Sequence, residues 1–284
     1  MNANGRATLY IVATPIGHLA DMVPRAVDIL QAVDLIAAED TRHSGRLLAH
    51  FGIRTPMIAY HDHSSESKVQ NLIEQLELGK NIALSADAGT PLISDPGYRL
   101  VHQARARGVT VSPIPGACAL IAALSASGLP SDKFCFEGFP PARQSARKQW
   151  LQARQTEERT LIFYESTHRL MASLEDMIAV FGAQRQGVIA REISKAFETF
   201  LQGTLAELKE QLLADTNQQR GEFVIMLGGS PASTGEAGEQ QAQRTVEVLL
   251  SEGLGVKQSA QIAAKLTGVK KNSLYQYALS VSQR

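Results

Sequence analysis

The stretch Asn-Ile-Ala-Leu-Ser-Ala-Asp-Ala-Gly-Thr-Pro-Leu-Ile-Ser-Asp-Pro-Gly, residues 81–97, decides the fold. It begins with the apolar run 82–84 and continues into a loop that holds two glycines and two prolines. A short apolar run that ends in such a loop is typical of a strand buried on both faces. In open parallel sheets, ligands bind beyond the carboxyl ends of the strands. The stretch therefore predicts an α/β protein with a binding site at the loop 86–97.

Similar apolar runs lie on both sides of this stretch, at 9–13, 34–38, 57–60 and 109–111. Segments with helical spacing separate them, and we expect Asp21 to cap the first helix. This alternation predicts a mostly parallel sheet covered on both faces, in an N-terminal α/β subdomain of residues 1–120. Strand patterns at 134–136, 161–164, 188–190 and 223–227 predict a second α/β subdomain, residues 121–229, with a mixed sheet.

The C-terminal region differs in composition from the two subdomains. Residues 230–241 are rich in small and polar residues and are predicted to form a linker. Residues 242–284 are predicted to form a helical module, in which Ser259 caps one helix and Gly268 ends it. A second helix opens at Lys270, and the pair resembles a helix-turn-helix.

The charges balance over the whole chain, with 28 Lys and Arg against 28 Asp and Glu, so binding of a polyanion requires local patches. Two basic patches predict phosphate contacts, and we expect an RNA-binding role for Arg143, Arg147, Lys148, Lys265, Lys270 and Lys271.

The chain has 2 cysteines, which excludes a disulfide framework. It shows no signal peptide and no apolar stretch of the ~20 residues that cross a bilayer. We therefore expect a cytoplasmic protein.

The loops at the carboxyl ends of the first strands carry carboxylates, prolines and glycines. Neither a dinucleotide-binding G-x-G-x-x-G nor a P-loop follows any strand. Carboxylates and exposed main-chain groups suit a cationic ligand with hydroxyl groups, and S-adenosylmethionine is one such ligand. His61 and His63 are spaced like two metal ligands, but the sequence fixes no third ligand, so we expect no metal site.

Several motifs resemble the tetrapyrrole-methylase (class III methyltransferase) superfamily: ATPIGHLAD at 13–21, AEDTR at 38–42, SADAGTPLISDPG at 85–97 and PG at 115–116. FYESTHR at 163–169, ARE at 190–192 and KKNSLY at 270–275 are similar to the ribosomal RNA methyltransferases of that superfamily. The resemblance implies two α/β subdomains with a cofactor cleft between them, plus a small C-terminal helical module. It also implies a homodimer that binds S-adenosylmethionine. The implied substrate is the ribose 2′-oxygen of a decoding-centre cytidine, cytidine 1402, in 16S rRNA of the 30S subunit.

The resemblance and the positions of the loops together give twelve candidate cofactor-binding residues: Pro15, Gly17, Asp87, Thr90, Pro91, Leu92, Pro115, Ala117, Cys118, Ala119, Tyr164 and Glu165. His18 and Cys118 depart from the family pattern, which has Asn at the first position and more often Ser, Thr or Ala at the second.

A ribose hydroxyl becomes a good nucleophile when a base takes its proton. The candidate bases are Glu39, which we rank first, Asp40, Asp62 and His61. Arg42 or Lys195 could stabilise the developing alkoxide. Two other functions stay open at this point, a tetrapyrrole C-methyltransferase and a non-catalytic ribosome assembly factor.

Overall fold

The structure is a computed structural model that describes residues 7–61, 64–230 and 236–282. The chain forms two compact units. The α/β unit comprises residues 1–155 and 159–228, and the helical unit comprises residues 156–158 and 229–284. The division of the α/β unit into subdomains 1–120 and 121–229 stays a prediction.

The first sheet of the α/β unit is entirely parallel over the described residues, as the sequence predicts, with the order β3-β2-β4-β1-β5. Its strands are β1 Thr8–Val12, β2 Leu35–Ala38, β3 Met57–Ala59, β4 Ile82–Ser85 and β5 Thr110–Ile114. Leu9 pairs with Ile82, and Val12 pairs with both Ser85 and Ile114. The loops after β1, β4 and β5 therefore lie side by side at one edge of the sheet.

The helices of this half are α1 Pro24–Ala32, α2 Thr41–His50, α3 Glu66–Glu77, α4 Tyr98–Ala106 and α5 Ala119–Ala126. The prediction that Asp21 caps α1 is wrong. Asp21 ends a 3₁₀ turn, Leu19–Asp21, and α1 begins after Val23 with Pro24 in its first turn. Proline is favoured there because its fixed φ and missing N–H cost nothing at a helix start.

The two faces of the first sheet explain its continuous apolar strands. Leu9, Ile82 and Leu84 pack against α3 and α4 through residues such as Leu72 and Leu100. Alternate strand residues, including Val12, Ile36 and Ala83, pack on the opposite face against Leu30 of α1 and Leu48 of α2. All residues of the central strands β2 and β4 are therefore buried, on one side or the other.

The second sheet has the order β6-β7-β10-β8-β9 over the described residues. Its strands are β6 Phe134–Gly138, β7 Thr160–Ser166, β8 Gln186–Arg191, β9 Thr199–Thr204 and β10 Glu222–Leu227. β6 and β7 are parallel and the other pairs are antiparallel, which confirms a mixed sheet. Its helices are α6 Gln144–Gln152, α7 Leu170–Phe181 and α8 Leu205–Ala214, and a 3₁₀ turn covers Thr216–Gln219. These helices cover one face, and α5 packs on the other.

The helical unit contains α9 Glu236–Ser251, α10 Val256–Thr267 and α11 Lys271–Ser282, packed around a core of its own. Helix α9 begins inside the stretch 230–241, whose boundaries as a linker stay a prediction. Gly268 ends α10 with a left-handed φ of 71°, as expected. Ser259 does not cap α10, because the helix begins after Gly255 and Ser259 is fully buried within it.

The helices of the described residues include none that is long and apolar enough to cross a bilayer.

Candidate functional site

A cavity of about 330 Å³ lies between the edges of the two sheets of the α/β unit. Small-molecule sites in proteins have volumes of roughly 300–1,000 Å³, so the cavity is large enough for a ligand of that class. Loops after β1, β4 and β5 form one side, and β7, β10 and the segment after β8 form the other. The lining residues are Ile16, Ala88, Gly89, Thr90, Ile93, Ser94, Asp95, Cys118, Ala119, Phe139, Tyr164, Glu165, Ser166, Ile193, Glu222, Phe223 and Val224.

The loop after β4 is fixed by main-chain contacts to its neighbours. The Gly89 N–H donates to the Thr14 carbonyl at 3.0 Å, and the Thr14 N–H donates to the Gly89 carbonyl at 2.9 Å. The Thr90 hydroxyl donates to the Ala117 carbonyl at 2.9 Å. Leu92 and Ser94 have φ values of 72° and 64°, a conformation that costs non-glycine residues free energy. The loop is thus held in one shape before any ligand arrives.

The opposite wall is built around Tyr164 of β7. Its hydroxyl accepts the main-chain N–H of Leu120 at 3.1 Å, which ties β7 to the first turn of α5. Burial, followed by the nearby Cys118 thiol, raises the pKa of Tyr164 above its usual range. The phenol is therefore neutral at physiological pH and acts as a fixed wall and hydrogen-bonding group.

The segment after β8 contacts the loop after β1. The Ser194 hydroxyl accepts the His18 N–H at 3.2 Å. A Cβ added to Gly17 would lie 2.5 Å from Cγ of Lys195, so only glycine allows this approach. Glu192 and Ser194 both have left-handed φ values, 51° and 61°. Gly17, a predicted cofactor-binding residue, thus lies next to the cavity, where the loop after β1 packs closely against the segment after β8.

Lys195 is held between two carboxylates. Its Nζ lies 2.9 Å from Glu192 and 2.8 Å from Glu222, and Glu222 lines the cavity. Partial burial acts to lower the pKa of Lys195, but the hydrogen bonds to Glu222 and Glu192 outweigh it and raise the pKa. Lys195 is therefore a fixed cation beside the cavity wall.

Glu165 lines the cavity, although its side chain is 0% exposed to solvent. The carboxylate accepts bonds from the Ser173 hydroxyl and from the Arg169 guanidinium, the latter at 2.8 Å. A buried charge needs such internal partners. That this carboxylate binds the cofactor stays a prediction.

The candidate bases lie beside the loop after β4. The Asp40 N–H donates to the Asp87 carboxylate at 3.0 Å, and the Asp87 N–H donates to Glu39 at 3.4 Å. Asp40 caps α2, and hydrogen bonds from Arg42 lower the pKa of Asp40 to about 2. A carboxylate with that pKa is a poor base near neutral pH.

Glu39, Asp40, Arg42 and His61 do not line the cavity, and the Arg42 side chain is 90% exposed. His61 is exposed, and Asp62 and His63 lie outside the described residues. The described part of the chain holds no cluster of three His, Cys, Asp or Glu residues that could bind a metal ion.

Five of the twelve predicted cofactor-binding residues line the cavity: Thr90, Cys118, Ala119, Tyr164 and Glu165. The others are outside the lining but in the same loops: Pro15, Gly17, Asp87, Pro91, Leu92, Pro115 and Ala117. Sequence reasoning missed Phe139, Ile193 and the start of β10. An aromatic residue between Gly138 and two prolines was the available signal for Phe139, whereas nothing in a regular strand pattern indicates residues 222–224.

The predicted RNA-binding residues divide into buried and exposed groups. The expectation for Arg147 is wrong, because its side chain is 3% exposed and its NH2 lies 2.7 Å from the buried Asp176 carboxylate. Lys148 is 45% exposed and lies 3.5 Å from the same carboxylate. Arg143 is exposed. In the helical unit, Lys265, Lys270 and Lys271 are all exposed.

Comparison with known proteins first identifies the class. Residues 8–209 match the family model described as Tetrapyrrole (Corrin/Porphyrin) Methylases, and residues 236–282 match one described as RsmI C-terminal HTH domain. The chain therefore belongs to the tetrapyrrole methylase family and is a methyltransferase, which confirms the predicted fold class.

Curated relatives then specify the group. The chain is 55% identical over 273 residues to ribosomal RNA small subunit methyltransferase I of Pseudomonas aeruginosa, with 96% of each chain covered. It is 52% identical over 276 residues to the protein of that name from Escherichia coli O157:H7, with 97% of this chain and 96% of that one covered. The similarity thus extends over both units.

Solved structures agree on the architecture. Diphthine synthase superposes with a TM-score of 0.60 at 15% identity, over 78% of this chain and 90% of that chain. Uroporphyrin-III-C-methyltransferase from Thermus thermophilus superposes with a TM-score of 0.54 at 18% identity, over 78% and 94%. At these identities the similarity shows the fold alone.

Proposed function

We propose that this chain transfers a methyl group from S-adenosylmethionine to the ribose 2′-oxygen of cytidine 1402 in 16S rRNA of the 30S subunit. The observation that carries the proposal is the combination in one chain of a methylase cavity and a helical unit with exposed lysines. Relatives named ribosomal RNA small subunit methyltransferase I share both parts. The proposal includes a homodimer that acts in the cytoplasm.

The residues of the cavity fit the cofactor. Main-chain groups of Gly89 and Thr90 lie beside an apolar surface formed by Ile93, Ala119 and Val224. Asp95 and Glu222 add carboxylates to the wall, which suits a ligand with a positive charge and hydroxyl groups. When bound, S-adenosylmethionine supplies an electrophilic methyl group, and the rigid loops determine its position relative to the ribose.

The chain's own groups would assist the ribose oxygen. The Glu39 carboxylate accepts the N–H of Asp87, and Asp87 directly precedes the lining residue Ala88. In the proposal, Glu39 takes the proton from the ribose 2′-hydroxyl. Lys195 is cationic and held at the opposite wall through Glu222, where its charge would stabilise the developing alkoxide.

Replacing Glu39 by Gln should lower the rate constant of methyl transfer by about 100-fold, since a positioned base contributes on the order of 10²–10⁴. Glutamine can still accept the Asp87 N–H, so the loop keeps its shape and cofactor affinity stays near normal. Single-turnover transfer to 30S subunits measures the first quantity, and calorimetry with S-adenosylhomocysteine measures the second. Asp40→Asn is the matched control, because the Asp40 carboxylate caps α2 and accepts hydrogen bonds from Arg42. This variant should keep most of the wild-type activity. An unchanged rate in Glu39→Gln would assign the proton transfer to another group.

The exposed lysines of the helical unit should bring in the RNA. Replacing Lys270 and Lys271 together by Ala should weaken 30S binding and leave cofactor affinity unchanged. Each lost phosphate contact lowers the slope of log affinity against log salt by about 0.7–0.9. The control pair Lys80→Ala and Lys133→Ala removes two exposed lysines from the α/β unit. Equal salt slopes in the wild type and in the Lys270/Lys271 variant would remove the RNA role of these lysines.

The direct test of the function uses S-adenosylmethionine with a labelled methyl group. The chain is incubated separately with 30S subunits, with naked 16S rRNA and with a precorrin, and labelled RNA is mapped by mass spectrometry. We expect label on the ribose of a single cytidine in the RNA. Label on the precorrin alone would indicate a tetrapyrrole methyltransferase, and tight 30S binding without label would indicate an assembly factor.

A further inference from the structure

We propose that Phe139 is the platform on which the base of the target nucleotide stacks, an inference that rests on the function proposed above. Phe139 lines the cavity, yet this residue is 50% exposed to solvent. A large apolar ring left half in water at the rim of a cavity offers a surface that a second bound molecule would cover.

The backbone holds this ring in one place. Gly138 has a left-handed φ of 65°, and the register of β6 against β7 shifts between Phe136 and Gly138. Pro140 follows, is buried, and its carbonyl accepts the Arg169 guanidinium at 3.2 Å. The irregularity ends the regular pairing of β6 before Phe139, and Pro140 restricts the backbone directly after it.

The ring also has a fixed neighbour on the cavity side. Phe139 and Tyr164 make an edge-to-face contact with centroids 5.6 Å apart and planes at 63°. Phe136 also contacts Tyr164, with ring centroids 4.8 Å apart. Tyr164 is itself anchored by the Leu120 N–H. An aromatic surface supported in this way loses little side-chain entropy when a ligand stacks on it, which is what a preorganised site requires.

The chemistry of the second substrate fits an exposed aromatic. Proteins recognise specific sites in folded RNA mostly at single-stranded loops, bulges and ends, whose bases can be unstacked. Unstacked RNA bases are bound on aromatic side chains. Phe139 reaches solvent whereas Ala119 and Val224 line the same cavity with less exposure, so the ring is accessible to a second substrate.

A cation for the adjoining phosphate lies close in sequence. Arg143 is exposed and directly precedes α6. Among the described residues no carboxylate lies within 4.0 Å of its guanidinium. An exposed aromatic followed by an unpaired cation is the pairing that proteins use to bind single-stranded nucleic acid.

The test compares full-length Phe139→Leu, Phe139→Ala and Phe139→Trp with the wild type. Steady-state methyl transfer gives kcat and KM for 30S subunits, and calorimetry gives the affinity for S-adenosylhomocysteine. We expect the Leu and Ala variants to raise KM by about 5- to 100-fold, the range that loss of one stacked base produces. Phe139→Trp should restore KM to nearly the wild-type value, and all three should bind S-adenosylhomocysteine normally. Phe197→Ala, which removes an aromatic that is 70% exposed and outside the cavity lining, is the control.

Three results would overturn the platform alone: an unchanged KM in Phe139→Ala, an equal loss of affinity for S-adenosylhomocysteine, or dissociation of an oligomer in size-exclusion chromatography. The second would assign the ring to the cofactor's adenine, and the third to a subunit contact. A wild-type protein that transfers no methyl group to any ribosomal RNA would overturn the proposed function and the platform together.

Discussion

Replacing Ala119 by Phe should abolish cofactor binding. Ala119 is the first residue of α5 and lines the cavity, so a benzyl group there occupies part of its 330 Å³. The loops that could move aside are fixed by the Thr14–Gly89 and Thr90–Ala117 hydrogen bonds. We therefore expect affinity for S-adenosylhomocysteine to fall by at least ~100-fold, equivalent to about 2.7 kcal/mol. Equilibrium dialysis with labelled ligand measures this loss.

Ala126→Phe is the matched control, because Ala126 is the last residue of the same helix, is exposed and lies outside the cavity lining. It should bind the ligand like the wild type. Both variants should unfold at similar denaturant concentrations. Normal binding by Ala119→Phe would mean that the cofactor occupies a different site.

Replacing Arg147 by Met should cause the largest loss of stability. The Arg147 and Asp176 side chains are 3% and 1% exposed, and Nε and NH2 of Arg147 lie 2.8 and 2.7 Å from one Asp176 oxygen. NH1 donates to the Ala142 carbonyl at 3.0 Å. Removing one partner of a buried ion pair leaves the other charge uncompensated, at a cost of about 3–5 kcal/mol. Urea denaturation measures the change in the free energy of unfolding.

Two further variants test the cause of that loss. Lys148→Met removes a half-exposed partner of the same carboxylate and should cost about 1 kcal/mol or less. The double variant Arg147→Met, Asp176→Leu removes both buried charges and should recover much of the stability. A single Arg147→Met variant as stable as the wild type would contradict the interpretation of this pair as a buried structural contact.

The first sheet was predictable because its strands are short, apolar and separated by helical spacing. Ile82–Ser85 and Leu35–Ala38 match their predicted runs almost residue for residue. β9, Thr199–Thr204, was not predicted, since it is an edge strand with polar residues and a glycine, and its identity comes from pairing with β8. Pairing between distant segments leaves little trace in local sequence.

The site was predictable only in part for a related reason. Loop residues such as Thr90 and Ala119 belong to motifs that can be read along the chain. Charges posed the harder problem, because the sequence predicts an RNA contact for Arg147 and a cofactor contact for Glu165, whereas both side chains are buried in ion pairs. Arg147 is four residues before the buried Leu151, which places it on the inner face of α6. Its partner, Asp176, lies on α7, and only the packing of the two helices brings them together.

Titration of the full-length wild-type chain with S-adenosylmethionine in a calorimeter tests the central claim most directly. Acidic side chains and fixed main-chain groups between the two sheets should give saturable binding with one ligand per chain, and the same site should take S-adenosylhomocysteine in competition. Absence of binding at ligand concentrations of about 1 mM, where even a weak specific site with a free energy of about −4 kcal/mol is half filled, would contradict the account.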